Sequence, residues 1–320
     1  MIVGGVYLLL ARAGSYVGRA IFGYGNTGGA NNLSMTNLVS TTGVVSGDVT
    51  GVGTARQGLA AAGYGTDKAI FGYGYSTSNV SITNLVSNTG VVSADTGGVG
   101  TARQIPAAAG YGGDKAIFGY GYAPGITYTA LTNKVSNTGV VSADTGGVGT
   151  ARLALAAAGY GTDKAIFGYG YGTASYLSMT NKVSNTGVVS ADTTGVGTAR
   201  QLLAAAGYRT DKAIFGYGYI GSNLSMTNKV SNTGVVSADT AGVGTSRYGL
   251  AAAGYGSDKA IFGYGFGGGY LSLTNLVSNT GVVSADTAGV GTGRYNLAAA
   301  SIGGVALIPA VPVNAIFGYG

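Results

Sequence analysis

Lys68-Ala-Ile-Phe-Gly-Tyr-Gly74, then a short variable stretch, then Thr83-Asn-Leu-Val-Ser-Asn-Thr-Gly-Val-Val92, then Asp95-Thr-Gly-Gly-Val-Gly-Thr-Ala-Arg103, then Ala107-Ala-Ala-Gly-Tyr111: this block is written along the chain six times, nearly word for word. Its Ile-Phe-Gly-Tyr-Gly element begins at Ile21, Ile70, Ile117, Ile166, Ile214, Ile261 and Ile316. A fixed period of about 48 residues means one supersecondary unit that cannot bury its own apolar face and stacks on copies of itself. What the copies share is scaffold. Function is to be sought where they differ.

Uniform repetition makes residues 1–320 one repeat domain, although the length would allow two ordinary ones. Gly supplies 62 of 320 residues, but 23 Tyr, 8 Phe and many Val, Ile and Thr oppose disorder and favour strands. There is no Cys, His, Trp or Glu. Thiolate and imidazole chemistry and Cys/His zinc sites are thereby excluded. All 11 acids are Asp. Five directly precede a Lys (Asp67, Asp114, Asp163, Asp211, Asp258), and six lie eight residues before an Arg (Asp48/Arg56, Asp95/Arg103, Asp144/Arg152, Asp192/Arg200, Asp239/Arg247, Asp286/Arg294). The cations left over are Arg12, Arg19, Lys134, Lys182, Arg209 and Lys229, and they account for the net charge of +6. So sparse an excess does not describe a nucleic-acid binder. No apolar run is long enough for a transmembrane helix. Val6-Tyr-Leu-Leu-Leu10 is too short to span and has no basic leader before it.

Each repeat parses into four strands: Leu59–Gly63, Lys68–Tyr73, Ser81–Val86 after the variable stretch, and a fourth from Val91 towards Asp95 beyond a Ser87-Asn-Thr-Gly90 hairpin turn. Four short strands at this period suit a blade of a β-propeller, with Ala-Ala-Ala-Gly in the crowded inner position and larger residues outside. The order of parts resembles the Kelch-type β-propeller family: Arg56 opens the unit, a small-residue strand follows, then a turn, then a strand ending in aromatic-Gly. Kelch repeats carry a double Gly where this chain has Gly-Tyr-Gly, and a Trp where it has Gly-Val-Val. The near-identical copies are also similar in style to propellers of phage tail-associated and bacterial surface proteins, which implies a virion-associated or extracellular place. Counting inner hairpins gives seven blades with an incomplete last one; counting outer hairpins gives six.

The repeated motifs read as structure. Gly51-Val-Gly-Thr-Ala-Arg56 lacks the strand–helix context of a phosphate loop and is expected to be a turn between blades. The Asp–Arg pairs at spacing eight are expected to pin that connection. Strand alternation puts Phe71 and Tyr73 on one side, so the Tyr residues of the Gly-Tyr-Gly element (Tyr24, Tyr73, Tyr120, Tyr169, Tyr217, Tyr264, Tyr319) are expected to pack between blades. No Asp-Xaa-Asp offers a calcium cluster, and no acid is singled out for catalysis. Neither a metal nor a cofactor is expected.

Two stretches do vary. One follows the second strand; the other follows the Arg (Gln57-Gly, Gln104-Ile-Pro, Leu153-Ala, Gln201-Leu, Tyr248-Gly, Tyr295-Asn). In an up-and-down blade both emerge at the same end. The first set carries Tyr75, Tyr122, Tyr128, Tyr171, Tyr176, Tyr219, Phe266 and Tyr270 among Ser, Gly and Asn, a composition suited to adaptable contact. The expected function is a non-enzymatic recognition module whose variable loops bind a glycan or protein; the alternative is a structural or assembly component of a virion or surface layer. Lys134, Lys182 and Lys229 stand where other copies have Leu38, Leu85 and Leu276, and are expected to form a basic stripe on one sector of the rim.

Overall fold

The computed structural model describes residues 16–125 and 127–305. Arg12, Val6–Leu10 and the element at Ile316 with Tyr319 lie outside them. Every regular element described is a strand, and no described helix is long and apolar enough to cross a membrane. The strands make six antiparallel three-stranded sheets. The second sheet, taken as the type, orders Ala60–Tyr64, Lys68–Gly72 and Thr83–Val86 from inside to outside. Sheets three to six repeat it, with inner strands Ala107–Tyr111, Ala156–Tyr160, Ala204–Tyr208 and Ala251–Tyr255. The first sheet is built from both ends of the described chain: Tyr16–Asn26 pairs with Asn32–Val39 on one side and with Ala298–Val305 on the other.

That shared sheet explains why the described units number six and not seven. The first copy supplies the middle strand and the last copy the inner strand of one sheet. The expected fourth strand is reduced to two isolated bridges in the type sheet, Thr83↔Thr96 and Val86↔Val92. Side chains interleave with the few backbone bonds that remain, such as Ser93 N–H to Leu85 O at 2.8 Å. Ser93 Oγ accepts from Leu85 N–H at 3.0 Å, and Asn84 Nδ2 donates to Ser93 O at 3.0 Å. Competition of this kind, in a Gly-rich segment, prevents a continuous strand.

A β-bulge sets the packing. In five sheets the register slips across the Gly-Tyr-Gly element, as between Gly168 and Gly170, and all six described Tyr of that element have positive φ (Tyr73, 63°). The extra residue is on the outer strand, where Ser178 and Met179 stand opposite Tyr169, and the positive φ of the Tyr turns its side chain off the simple alternation. Phe71 and Tyr73 therefore point to opposite neighbours, correcting the simple alternation expected. Phe71 meets Tyr24 of the first sheet at 5.1 Å between ring centroids, and Tyr73 meets Phe118 of the third at 5.1 Å. The same contact recurs between successive sheets and ends at Tyr264 on Phe22, at 5.2 Å. Close approach requires Gly72: a Cβ there would lie 2.7 Å from Phe118 Cζ.

The succession of sheets returns to where it began. Each inner strand touches the next, and Ala298–Val305 touches both Ala251–Tyr255 and Ala60–Tyr64. At one end of the strands, the turn amides of Gly65, Gly112, Gly161, Arg209, Gly256 and Gly303 donate to the carbonyls of Asp114, Asp163, Asp211, Asp258, Gly18 and Asp67. At the other end Gly58, Ile105, Ala154, Leu202, Gly249 and Asn296 are linked N–H to C=O in a second unbroken cycle, at 2.6 to 3.2 Å. All six have positive φ.

The ion pairs differ from the sequence expectation by a whole repeat. Arg56 lies not against Asp48 but 3.9 Å from Asp95, Arg103 lies by Asp144, and Arg294 near the C-terminus reaches back to Asp48. The pair joins the connection arriving at a sheet to the outer segment of that same sheet. Thr54 N–H and Oγ1 also donate to Asp95, the latter at 2.6 Å. The Gly-Val-Gly-Thr loop thus does bind an anion, and the anion is the protein's own carboxylate.

Candidate functional site

The two variable stretches lie side by side. Gln57 bridges Tyr75, Gln104 bridges Tyr122, Leu153 bridges Tyr171, Gln201 bridges Tyr219, Tyr248 bridges Phe266, and Asn26 bridges Tyr295. Each residue after the Arg is therefore strapped to the start of its sheet's variable loop. The next residue along belongs to the peptide cycle of Gly58 and its equivalents. Beneath it Leu59, Pro106, Leu155, Leu203, Leu250 and Leu297 help to line a small cavity of about 80 Å³. All twelve variable stretches therefore gather at this end, and no residue that varies in them is charged.

The structure divides the expected aromatic residues into two groups. Tyr128, Tyr171 and Tyr176 form one, with centroids 6.3 and 5.3 Å apart, across the third and fourth sheets. Tyr219, Phe266 and Tyr270 belong to the other, and Tyr75 and Tyr122 join neither. Two residues not singled out from the sequence complete the second group. Tyr248 lies 5.3 Å from Tyr219 and 5.5 Å from Phe266; Tyr295 lies 5.5 Å from Tyr270 and 6.2 Å from Phe266. The available signal was their type: Tyr occupies the position after the Arg only in the last two copies, where the others have Gln or Leu. Five rings thus converge from the fifth, sixth and first sheets. Tyr270 is exposed and the other four are half-buried. Burial, and then the neighbouring phenols, raise the Tyr248 hydroxyl above its ordinary pKa, and burial followed by Tyr270 does the same for Tyr295. Both hydroxyls stay protonated donors at neutral pH.

The Tyr residues of the Gly-Tyr-Gly element take no part in this surface. Tyr24, Tyr73, Tyr120, Tyr169, Tyr217 and Tyr264 are fully buried beneath arginines, with Arg56 Cζ 4.3 Å from the Tyr24 centroid. Lys134, Lys182 and Lys229 lie at the opposite end of the sheets. Their Nζ atoms donate to Thr186 O, Thr233 O and Thr280 O, in the outer turn of the following sheet, at 3.2, 3.2 and 3.1 Å. Where Leu holds the position it packs on the Gly of that same turn, as Leu85 does beside Gly139. Among the described residues no three acids lie close enough together to hold a metal ion.

No protein-family model matches the chain, and no curated protein matches it significantly.

Proposed function

We propose that the six sheets are the blades of a β-propeller, Kelch-like in the order of its parts, and that the protein is a non-enzymatic recognition module for a glycan or a protein. The observation that carries the reading is the five-ring cluster of Tyr219, Tyr248, Phe266, Tyr270 and Tyr295 on an uncharged, variable surface. Aromatic faces with accessible hydroxyls give large contact area at low entropic cost. Peptide cycles at both ends make the frame rigid, so its divergent loops are presented in fixed positions. Nothing in the repeat sets one acid or base apart for catalysis.

The test is a glycan and protein array, followed by titration of hits against Tyr248→Ser/Tyr295→Ser. Loss of at least about tenfold in affinity, with an unchanged melting temperature, is expected. Hits that bind this variant as tightly as the parent would remove the reading. A second reading, lateral assembly into a surface layer or virion, is favoured by one observation. Val44, Val91, Val140, Val188, Val235 and Val282 recur around the perimeter and are 60 to 67% exposed. Concentration-dependent growth of ordered assemblies, with an empty array, would favour it.

A further inference from the structure

The end opposite the variable loops differs in charge. Five copies place an Asp–Lys pair in the inner turn, with Nζ to carboxylate distances from 2.8 Å (Lys115–Asp114) to 3.5 Å (Lys212–Asp211). The outer turn lies at the same end, because Asn88 Nδ2 reaches Asp67 at 3.1 Å and Asn279 Nδ2 reaches Asp258 at 3.1 Å. These pairs are neutral overall. The departures from the repeat are not. Gly18 stands where the other copies have Asp, beside Arg19. Arg209 stands where the others have Gly, and Lys134, Lys182 and Lys229 stand where the others have Leu. One acid is lost and four cations are gained. Each described charge-changing difference between copies has the same sign and lies at this one end.

A cavity of about 600 Å³ opens in the middle of that end. Its volume is within the range of small-ligand sites. Thr66, Thr162, Thr210 and Ser257 supply hydroxyls from the inner turns, and Lys68, Lys115, Lys164 and Lys259 supply ammonium groups. Arg19 follows cavity-lining Gly18, and Arg209 precedes cavity-lining Thr210. Tyr64, Tyr111, Tyr160, Tyr208 and Tyr255 also line the cavity, but each is only 4% exposed, with Tyr64 packed on the outer-turn Gly139 of the next sheet and Tyr160 on Gly234, so they show edges and no free face. Base stacking, which single-stranded nucleic acid needs, has no platform here. A bilayer surface does not enter a recess. Hydroxyls and paired donors and acceptors inside, with surplus cations around, match a sugar chain that carries acid groups.

We infer that this end is a second binding site, separate from the variable loops, for an acidic oligosaccharide: one sugar lies in the axial cavity, and the carboxylate or sulfate groups further along the chain meet Arg209, Lys134, Lys182 and Lys229. The test uses isothermal titration calorimetry on the whole chain. Heparin-derived and galacturonate oligosaccharides are the probes, and a maltooligosaccharide is the neutral control. Binding of at least one acidic probe is expected, with affinity falling at least about tenfold between about 50 and about 500 mM NaCl. Lys134→Leu/Lys182→Leu/Lys229→Leu/Arg209→Gly restores residues that other copies already use, so the fold tolerates it. It should weaken binding by at least about tenfold. Thr66→Glu/Thr162→Glu, which places acid in the cavity, should do the same, with a circular-dichroism melt confirming the fold of each variant. Tyr248→Ser/Tyr295→Ser should leave this binding unchanged, which separates its failure from that of the loop-face reading. The inference is overturned if no acidic probe binds at low salt, if either charge variant binds like the parent, or if single-stranded DNA or phosphatidylserine vesicles bind more tightly than the oligosaccharides.

Discussion

Arg56 and its five equivalents have no exposed surface, yet their nearest carboxylates stand off at 3.7 to 3.9 Å. Their charge is met chiefly by dipoles. Arg56 Nε donates to Tyr73 O at 2.9 Å, Nη1 to Thr54 O at 3.0 Å and Nη2 to Asn84 Oδ1 at 2.6 Å, and the guanidinium lies over the Tyr24 ring. A guanidinium suits this site because its planar donors point several ways while its face stacks. The carboxylates respond differently. Burial alone would raise Asp95, but hydrogen bonds from Thr54 and Asn84, with the charge of Arg56, outweigh it and hold the group below its ordinary pKa. Asp48, Asp144, Asp192, Asp239 and Asp286 behave alike. The folded value lies below the unfolded one, so this stability is present above the ordinary carboxylate value near about 4 and is lost as pH falls through the folded value. Calorimetric melting temperatures should fall steeply only below about pH 4. The fall should persist in high salt, which screens the exposed Asp–Lys pairs but not the hydrogen-bonded carboxylates. A melting temperature constant down to about pH 2 would contradict the assignment.

The sheet, as an element, is fastened from its first residue to its last. In the third, Thr101 N–H, Thr101 Oγ1 and Asn133 Nδ2 all donate to Asp144, so the arriving connection and the outer segment are tied at one carboxylate beside Arg103. Asp144→Ala should cost about 1–3 kcal/mol in urea unfolding, through the orphaned donors of Thr101 and Asn133 and the loss of the carboxylate nearest Arg103. It should also increase hydrogen exchange at residues 100–103 and 141–145, not in the Gly149–Arg152 connection of the next sheet. Increased exchange in the Gly149–Arg152 connection with none at residues 100–103 would favour the spacing-eight pairing. Strand order, the hairpin turns and the alanine-rich inner strands were legible, because small residues and turn residues report directly on crowding and on positive φ. The bulge was not. Lys-Ala-Ile-Phe-Gly-Tyr-Gly reads as one alternating strand, and only the backbone reveals the positive φ at Tyr73. The ion pairs were misread for a related reason: spacing along the chain is not proximity when every repeat holds an identical partner. The aromatic site was partly legible, because Tyr248 and Tyr295 come from a different stretch of the repeat and meet Phe266 and Tyr270 only across sheets.

For the whole molecule, the sequence left six and seven units open. Two half-copies at the ends look the same whether each forms its own unit or both share one. The register Tyr16↔Val305 to Gly23↔Ala298 decides for sharing among the described residues. Deleting residues 298–320 strips the middle strand of the first sheet of its inner partner and opens the peptide cycle that runs through Gly303, leaving the cycle through Asn296 intact. A melting temperature lower by more than about 10 °C is expected, as lost edge pairing and the packing of Ala298, Ala300 and Ile302 sum to several kcal/mol. A truncated chain that melts with the parent would show that the shared sheet adds little. The arrangement also has a consequence during synthesis. Sheets two to six can each form as their residues leave the ribosome, but the strand Tyr16–Asn26 is made before every other described strand and meets its inner partner, Ala298–Val305, after all of them. Throughout elongation it presents an unpaired β edge to every neighbouring nascent chain, so on crowded polysomes the earliest hairpin is the point most exposed to mispairing.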